Sequence, residues 1–391
     1  MDQISVYFKG LLATIVASLL AWHASIGGVV PLPINTKFVT APAVFDVGDG
    51  YAVMWATDKK GMAWVTFEVD GKEYTVYDSA SGTIRTDETL HAVKVDKDLF
   101  DQAGSYRVHS AYILFNFGYI TFRGAEAVSQ AYDFRGYEGQ ETIRGLFFAD
   151  VHGQKEMAYQ NTALLTQDAP ADFVVLGGDI ARDWLLTQKT FVDEILDLAV
   201  HMSGSGIPVV YVRGNHECRG AWATQMRNYF PTPTGELYFT TSYGPIGALV
   251  LDTGEDKDDD DPQYGGLADF DAYRKQHLNW IKGLRSDTFD AYEYKVCYAH
   301  KYNFNVPAQQ SGENWAIPVR ALGIPLTLTG HGHTNKVFSD AESGMVIFED
   351  GGTAAGSLAT FSGGQISVKT RHLWRNHRRL GRTGHVLSCI V

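Results

Sequence analysis

Five short polar blocks in the second half of the chain carry residue types that do chemistry. They are Asp150-Val151-His152, Gly178-Asp179, Gly214-Asn215-His216-Glu217, His300 and His331-Gly332-His333. Each follows an apolar run that reads as a β-strand, so each lies at or just past a strand's C-terminal end. Strands that share a sheet bring such ends to one rim, where the sites of open α/β folds sit. Carboxylate, imidazole and amide oxygen are ligands for divalent ions. Two neighbouring cations need an anion between them, and Asp179, which closes the run "VVLGGD", is the natural bridge. Two ions about 3.5–4 Å apart hold a phosphate between them and acidify a shared water. The resulting hydroxide attacks phosphorus in line, and no covalent nucleophile is required. One such block occurs by chance; five in order, each after a strand, do not.

The elements that must position these blocks are legible. Strand patterns cover 143–150, 173–178, 208–214, 246–252, 294–300 and 324–330, with helical spacing at 155–167 and 188–202. Their alternation predicts an α/β domain with a largely buried sheet over residues 143–368. Before it, residues 38–136 show period-two patterning and frequent turn signals, among them Asp70-Gly71 between "AWVTFEV" and "KEYTVYD". That pattern predicts a small all-β sandwich. It contains no catalytic cluster and reads as an accessory domain, joined by a linker at 137–142.

Composition sets the outer bounds. The chain has 391 residues, 45% of them hydrophobic, with 40 glycines and a formal net charge of −12. This describes a folded, loop-bearing protein and argues against a nucleic-acid polymer as partner. Cys218, Cys297 and Cys389 form no disulfide framework or zinc motif, and the first two read as plain thiols. Residues 1–28 combine Lys9, the apolar run Leu11 to Trp22 and small residues after it, the outline of a signal peptide or anchor; an ordinary leading helix is the alternative. The acidic segment 255–271 reads as a solvated loop, and its spacing matches no EF-hand. The basic tail 369–391 reads as a disordered extension, with contact to an anionic surface as the alternative.

The ordered set D-x-H, GD, GNHE, H and GHxH resembles the signature of the calcineurin-like metallophosphoesterase superfamily, over about residues 143–355. The resemblance implies a four-layer α/β/β/α sandwich with a dinuclear centre. Block by block, it implies that Asp150, His152 and His333 hold one metal, that Asn215, His300 and His331 hold the other, and that Asp179 bridges. It implies that His216 hydrogen-bonds the phosphate or protonates the leaving group, where a general acid helps most. The preceding sandwich, fibronectin type III-like in outline, is similar to the arrangement in purple acid phosphatases. Those enzymes carry a tyrosine three residues after the bridging aspartate and lack the histidine of D-x-H. Here the two positions are Arg182 and His152, so a non-purple site with two ordinary divalent ions (Mn, Fe, Zn, Co or Ni) is expected.

The expected function is dinuclear metal-dependent phosphoester hydrolysis of a small phosphorylated substrate, with monoesters favoured over diesters of nucleotides or phospholipid headgroups. A phosphate-binding module without catalysis is the reading from another class; the completeness of the seven ligand positions argues against it. Arg182 is expected either to contact the substrate phosphate or to pair with Asp183 or Glu217. Arg213 is a further candidate substrate contact, and Tyr302 and Asn303 are candidates to line the cleft. The loops 218–246 and 255–271 are expected to set specificity. Export to the cell envelope or beyond fits the leading segment, with a cytoplasmic location as the alternative, and any membrane contact is expected only through that segment.

Overall fold

The strands carrying the five blocks lie in two sheets packed face to face in this computed structural model, which describes residues 2–25, 27–118, 120–301, 313–351, 355–371, 373–376, 379–382 and 388–390. In the first sheet Ile143–Phe148, Phe173–Leu176 and Pro208–Tyr211 run parallel, and Gly356–Ser362 and Gln365–Arg371 extend it antiparallel. In the second, Ile246–Val250, Tyr294–Tyr298, Leu326–Thr329 and Val346–Glu349 run parallel between antiparallel edge strands Phe239–Tyr243 and Lys336–Ser339.

Strand period two sorts the side chains. Phe147, Val175 and Val210 point inward against Ala248, Val250, Val296 and Leu328 of the facing sheet. Their neighbours Leu146, Phe148, Val174, Leu176 and Val209 point outward, onto the helices Lys155–Leu165 and 188–203. The outer face of the second sheet packs through Leu249, Cys297 and Ile347 on Phe270–Gly283 and Ala316–Ala321. With both faces of each sheet covered, the strands read as continuous apolar runs. The result is the expected α/β/β/α order.

The N-terminal region is β-rich. The long strand Gly50–Val69 pairs with Ala43–Asp46 and Glu88–Asp96 through its first half, and with Lys72–Tyr77 and Ser105–Asn116 through its second. Its register breaks between Ala56 and Gly61, where pairing with Glu88–Asp96 gives way to pairing with Ser105–Asn116. Trp55, Val65, Phe67, Val93, Phe100 and Val108 form one core between the layers. Asp70 and Gly71 both adopt positive φ, 52° and 75°, the two-residue hairpin turn read from the sequence.

This region is bound to the rest more closely than a linker at 137–142 predicts. Ala43–Asp46 also pairs in parallel with Pro208–Tyr211, so sandwich and α/β strands form one continuous 14-stranded sheet. The reason is local: all four residues of this strand are buried, Val44 in the sandwich core and Phe45 in the helix-facing core. A buried polar joint adds to it. Lys97 Nζ lies 2.6 Å from Asp46 Oδ2 and donates to the carbonyl of Ser242 at 2.5 Å, while the Thr241 hydroxyl donates to Asp46 Oδ1 at 2.6 Å.

Elsewhere the loops follow their chemistry. The segment 255–271 is tied down by Asp259, whose two carboxylate oxygens accept the N–H groups of Phe270 (2.8 Å) and Asp271 (3.0 Å) at a helix start. Described parts of the basic tail, expected to be disordered, form the hairpin Leu373–Asn376/Arg379–Arg382 and an edge strand, Ser388–Ile390, along Gln365–Arg371. Short alternating segments of this kind add readily to an open sheet edge. Cys218 and Cys297 are free thiols. No helix among the described residues is long and apolar enough to cross a membrane.

Lys97→Met would leave the Asp46 carboxylate, 3% exposed, without its cation. Breaking one half of a buried ion pair costs about 3 kcal/mol or more, so the urea-unfolding midpoint should fall. An unchanged midpoint would remove this joint from the account of how the two parts are held.

Candidate metal centre

The five blocks meet where five strands of the two sheets end. Ile143–Phe148 delivers Asp150 and His152, Phe173–Leu176 delivers Asp179, and Pro208–Tyr211 delivers Asn215 and His216. From the facing sheet, Tyr294–Tyr298 delivers His300 and Leu326–Thr329 delivers His331 and His333. The chain turns sharply after three of these strands. Asp150, His152, Asp179, His331 and His333 all have φ between 47° and 73°. Left-handed backbone is uncommon for side chains of this kind and is held only where surrounding structure demands it. Gly178 and Gly214 allow the turns to interlock: a Cβ on either would strike a neighbouring turn, at His300 Nδ1 for Gly178 and at Asp179 for Gly214.

The ligand atoms fall into three overlapping groups, each within 4.8 Å: Asp150, His152 and His333; Asp179, His300 and His331; and His152, Asp179 and His216. Asp150 Oδ1 lies 3.4 Å from His333 Nε2 and 3.8 Å from His152 Nε2. Asp179 Oδ2 lies 3.2 Å from His300 Nε2 and 3.8 Å from His216 Nε2. Asn215 Oδ1 is 3.0 Å from His331 Nδ1. All seven expected ligand residues and His216 are therefore together. Tyr302 and Asn303 lie outside the described residues.

Orphaned atoms test whether the cluster fits metal ions. Asp150 Oδ1, His152 Nε2 and His300 Nε2 are buried and make no hydrogen bond. A buried polar atom without a partner is costly, and these three belong to the ligand groups above. Their other atoms are spoken for. Asp150 Oδ2 accepts the His331 N–H at 2.7 Å, and His300 Nδ1 donates to the Gly177 carbonyl at 2.9 Å. Since a carbonyl only accepts, Nδ1 carries the proton and Nε2 faces Asp179, the orienting device common to ligating histidines. The residues fit a dinuclear site of mixed carboxylate, imidazole and amide donors.

Electrostatics divide the residues. Burial pushes the Asp150 carboxyl up. Burial also opposes the charge of Asp179, but the adjacent His300 outweighs it and holds that carboxyl well below the usual range. Burial lowers His300, and the Asp179 carboxylate overcomes this and lifts it to about 9. Burial lowers His152 and takes His331 down to about 4, with the charges of His300 and Lys301 adding to the second. An imidazole ligand must be neutral. Burial favours that form for His152 and His331, whereas His300 must release a proton to bind.

His216 sits at the mouth, its side chain 26% exposed. Its Nδ1 lies 3.2 Å from the Asp183 carbonyl, leaving Nε2 toward the cluster. The ring stacks on Trp184, with centroids 5.2 Å apart, and Arg219 covers Trp184 at 4.9 Å. Arg219 grips the Glu255 carboxylate with two nitrogens, and Tyr264 donates to the same carboxylate at 3.1 Å. This aromatic and ionic ladder was not read from the sequence.

Glu217 has a role that its sequence position alone does not show. Its fully buried carboxylate accepts four backbone N–H groups: Asp179 (2.8 Å), Ile180 (2.7 Å), Ala181 (2.9 Å) and Gly214 (2.9 Å). Burial and the neighbouring Asp179 push its carboxyl up to about 7, and the amides pull the other way. An acid directly after the asparagine-histidine pair is the only sequence signal for this role. With its oxygens so engaged, Glu217 does not pair with Arg182. The exposed Arg182 side chain runs against Gly153, beside His152, and its backbone N–H donates to Glu194. Arg213, a candidate substrate contact, instead spends its charge on Asp252, 2.6 Å away, under the ring of Tyr273.

Glu217→Gln replaces one accepting oxygen with a donor that faces amide N–H groups. Stability should fall by about 2 kcal/mol in urea unfolding, and bound metal measured by elemental analysis should fall with it. Retention of both would show that the turn around Asp179 is held by other means.

Comparison with known proteins agrees with this geometry. Residues 143–335 match the family model for calcineurin-like phosphoesterases. A purple acid phosphatase from seeds of yellow lupin (Lupinus luteus) shares the fold at a TM-score of 0.57 and 14% identity, over 84% of this chain and 71% of that one. A dimetal phosphatase from Danio rerio aligns at a TM-score of 0.45 and 14% identity, over 63% of this chain and 98% of that one. No curated protein matches the chain by sequence. Residues 143–335 therefore form a calcineurin-like phosphoesterase domain, which supports a hydrolase acting on phosphoester bonds.

Proposed function

We propose that the chain is a dinuclear metal-dependent phosphomonoesterase. The observation that carries the reading is the overlap of three ligand groups through His152 and Asp179, with three buried ligand atoms left without hydrogen bonds. Asp150, His152 and His333 would hold one ion, and Asn215, His300 and His331 the other, with the Asp179 carboxylate shared. Two bound divalent ions supply Lewis-acid polarisation of a phosphoryl group and a more acidic water.

The chain's own residues do the rest. Asp179, ionised and nearly enclosed, provides the shared negative charge. His216 presents Nε2 to the mouth, where it protonates a departing alkoxide. Trp184 and Arg219 set the plane of that ring. Arg182, exposed beside Gly153 and His152, offers a guanidinium to a dianionic phosphoryl group, which supports the monoester reading.

Asp179→Asn should lose metal and activity together in a sample stripped and reloaded with Mn, Fe, Zn, Co or Ni. Full activity after reloading would sink the shared-ligand assignment. His216→Ala should keep its metal yet lose roughly 100-fold or more in kcat with an alkyl phosphate. The loss should be much smaller with p-nitrophenyl phosphate, whose leaving group needs little protonation; equal losses would refute the acid role. Hydrolysis of bis-p-nitrophenyl phosphate faster than p-nitrophenyl phosphate by the same metal-loaded sample would overturn the monoester preference.

A further inference from the structure

We infer that the aromatic tip of the hairpin Ser105–Asn116/Thr121–Val128 rests on a lipid bilayer beside the N-terminal helix. Two separate elements lead there. The first is the helix Asp2–Ser25. Residues 10–36 contain no Asp, Glu, Lys or Arg. Leu11, Leu12, Ile15, Val16, Leu19 and Leu20 are all exposed. The opposite side of the helix is built from Gly10, Ala13, Thr14, Ala17, Ser18 and Ala21, so it carries no charge. A helix lying in a groove of a water-soluble partner keeps one charged face for solvent, and a helix without one needs a mostly apolar surrounding. Lipid provides that and a protein groove does not.

The second element is the hairpin tip. Phe117 is 77% exposed, and Leu114 and Phe115 are exposed beside it. The rings of Phe115, Phe117 and Phe122 cluster, with centroids 5.5 Å apart for the first two and 4.3 Å for Phe115 and Phe122. A contiguous exposed aromatic group on a protein of net charge −12 marks an interaction surface rather than ordinary surface.

The backbone places these elements together. The strand Val29–Asn35, which follows the helix, pairs in parallel with Thr121–Val128, putting Val29 opposite Thr121 and Val30 opposite Phe122. The Thr121 N–H donates to the Gly28 carbonyl at 2.9 Å. The helix therefore leaves the body at the hairpin tip, and Trp22, also exposed, lies near the same end. Aromatic rings gathered at one level beside an apolar helix are the pattern of a membrane interface. The contact orients the sandwich end of the molecule toward lipid, whatever substrate the metal centre takes.

The test uses the full chain with phosphatidylcholine vesicles. Amide hydrogen exchange should slow at 114–118 and 120–122 as well as in the helix when vesicles are added. The double substitution Phe115→Ser/Phe117→Ser should lower vesicle partitioning by roughly tenfold while leaving p-nitrophenyl phosphate hydrolysis unchanged, which reports an intact fold. Slowed exchange in the helix with unchanged exchange at the hairpin would overturn the inference. So would failure of the chain to bind vesicles, or hairpin protection that rises with protein concentration in the absence of lipid, which would assign the surface to a second copy.

Discussion

The metal centre depends on one carboxylate that touches no substrate. Glu217 gathers four buried amides, three from the turn after Phe173–Leu176 and one from the turn after Pro208–Tyr211. The arrangement is reciprocal. Asp179, on the first turn, accepts the backbone N–H of His216 on the second, at 2.9 Å. Each turn thus contributes an acid that satisfies amides of the other, and the two ligand-bearing turns cannot move apart without exposing several polar groups at once. Unsatisfied buried donors cost about 1–3 kcal/mol each, enough to hold Asp179 in a left-handed conformation it would not otherwise keep.

That local order rests on a larger frame. Strained backbone persists where the surroundings over-determine it, and here the surroundings are two sheets whose four faces are all buried. The N-terminal strands belong to that frame. Ala43–Asp46 covers the edge of Pro208–Tyr211, the strand that delivers Asn215 and His216. An open edge next to a metal site would invite pairing with another chain. Covered from the sandwich side and tied through Asp46, Lys97 and Thr241, it is neither open nor free to twist.

How much of this the sequence reveals follows from the range of each signal. The six α/β strands, the two helices and the Asp70-Gly71 turn were legible because each is a local pattern ten or so residues long. The five ligand blocks were legible because glycine and acid terminate apolar runs. Ala43–Asp46 was not legible. It is four residues long and buried on both faces, so it shows no alternation. Glu217 was visible as a residue but not as a clamp, since its partners at 179–181 lie 36 to 38 positions away. The same holds for the stack of His216, Trp184 and Arg219, which joins three turns of unrelated sequence.

Three arginines near the rim show what geometry adds to residue type. Arg213 spends its charge on Asp252 and Arg219 spends its own on Glu255. Both acids are almost fully enclosed, so these two cations are structural. Arg182 lies exposed beside His152, its charge unspent on a buried acid of this kind. A phenolate there would add negative charge to the metal site and favour a trivalent ion. A guanidinium does the opposite. It leaves the ligand set less negative and places a fixed positive charge beside the ligand cluster.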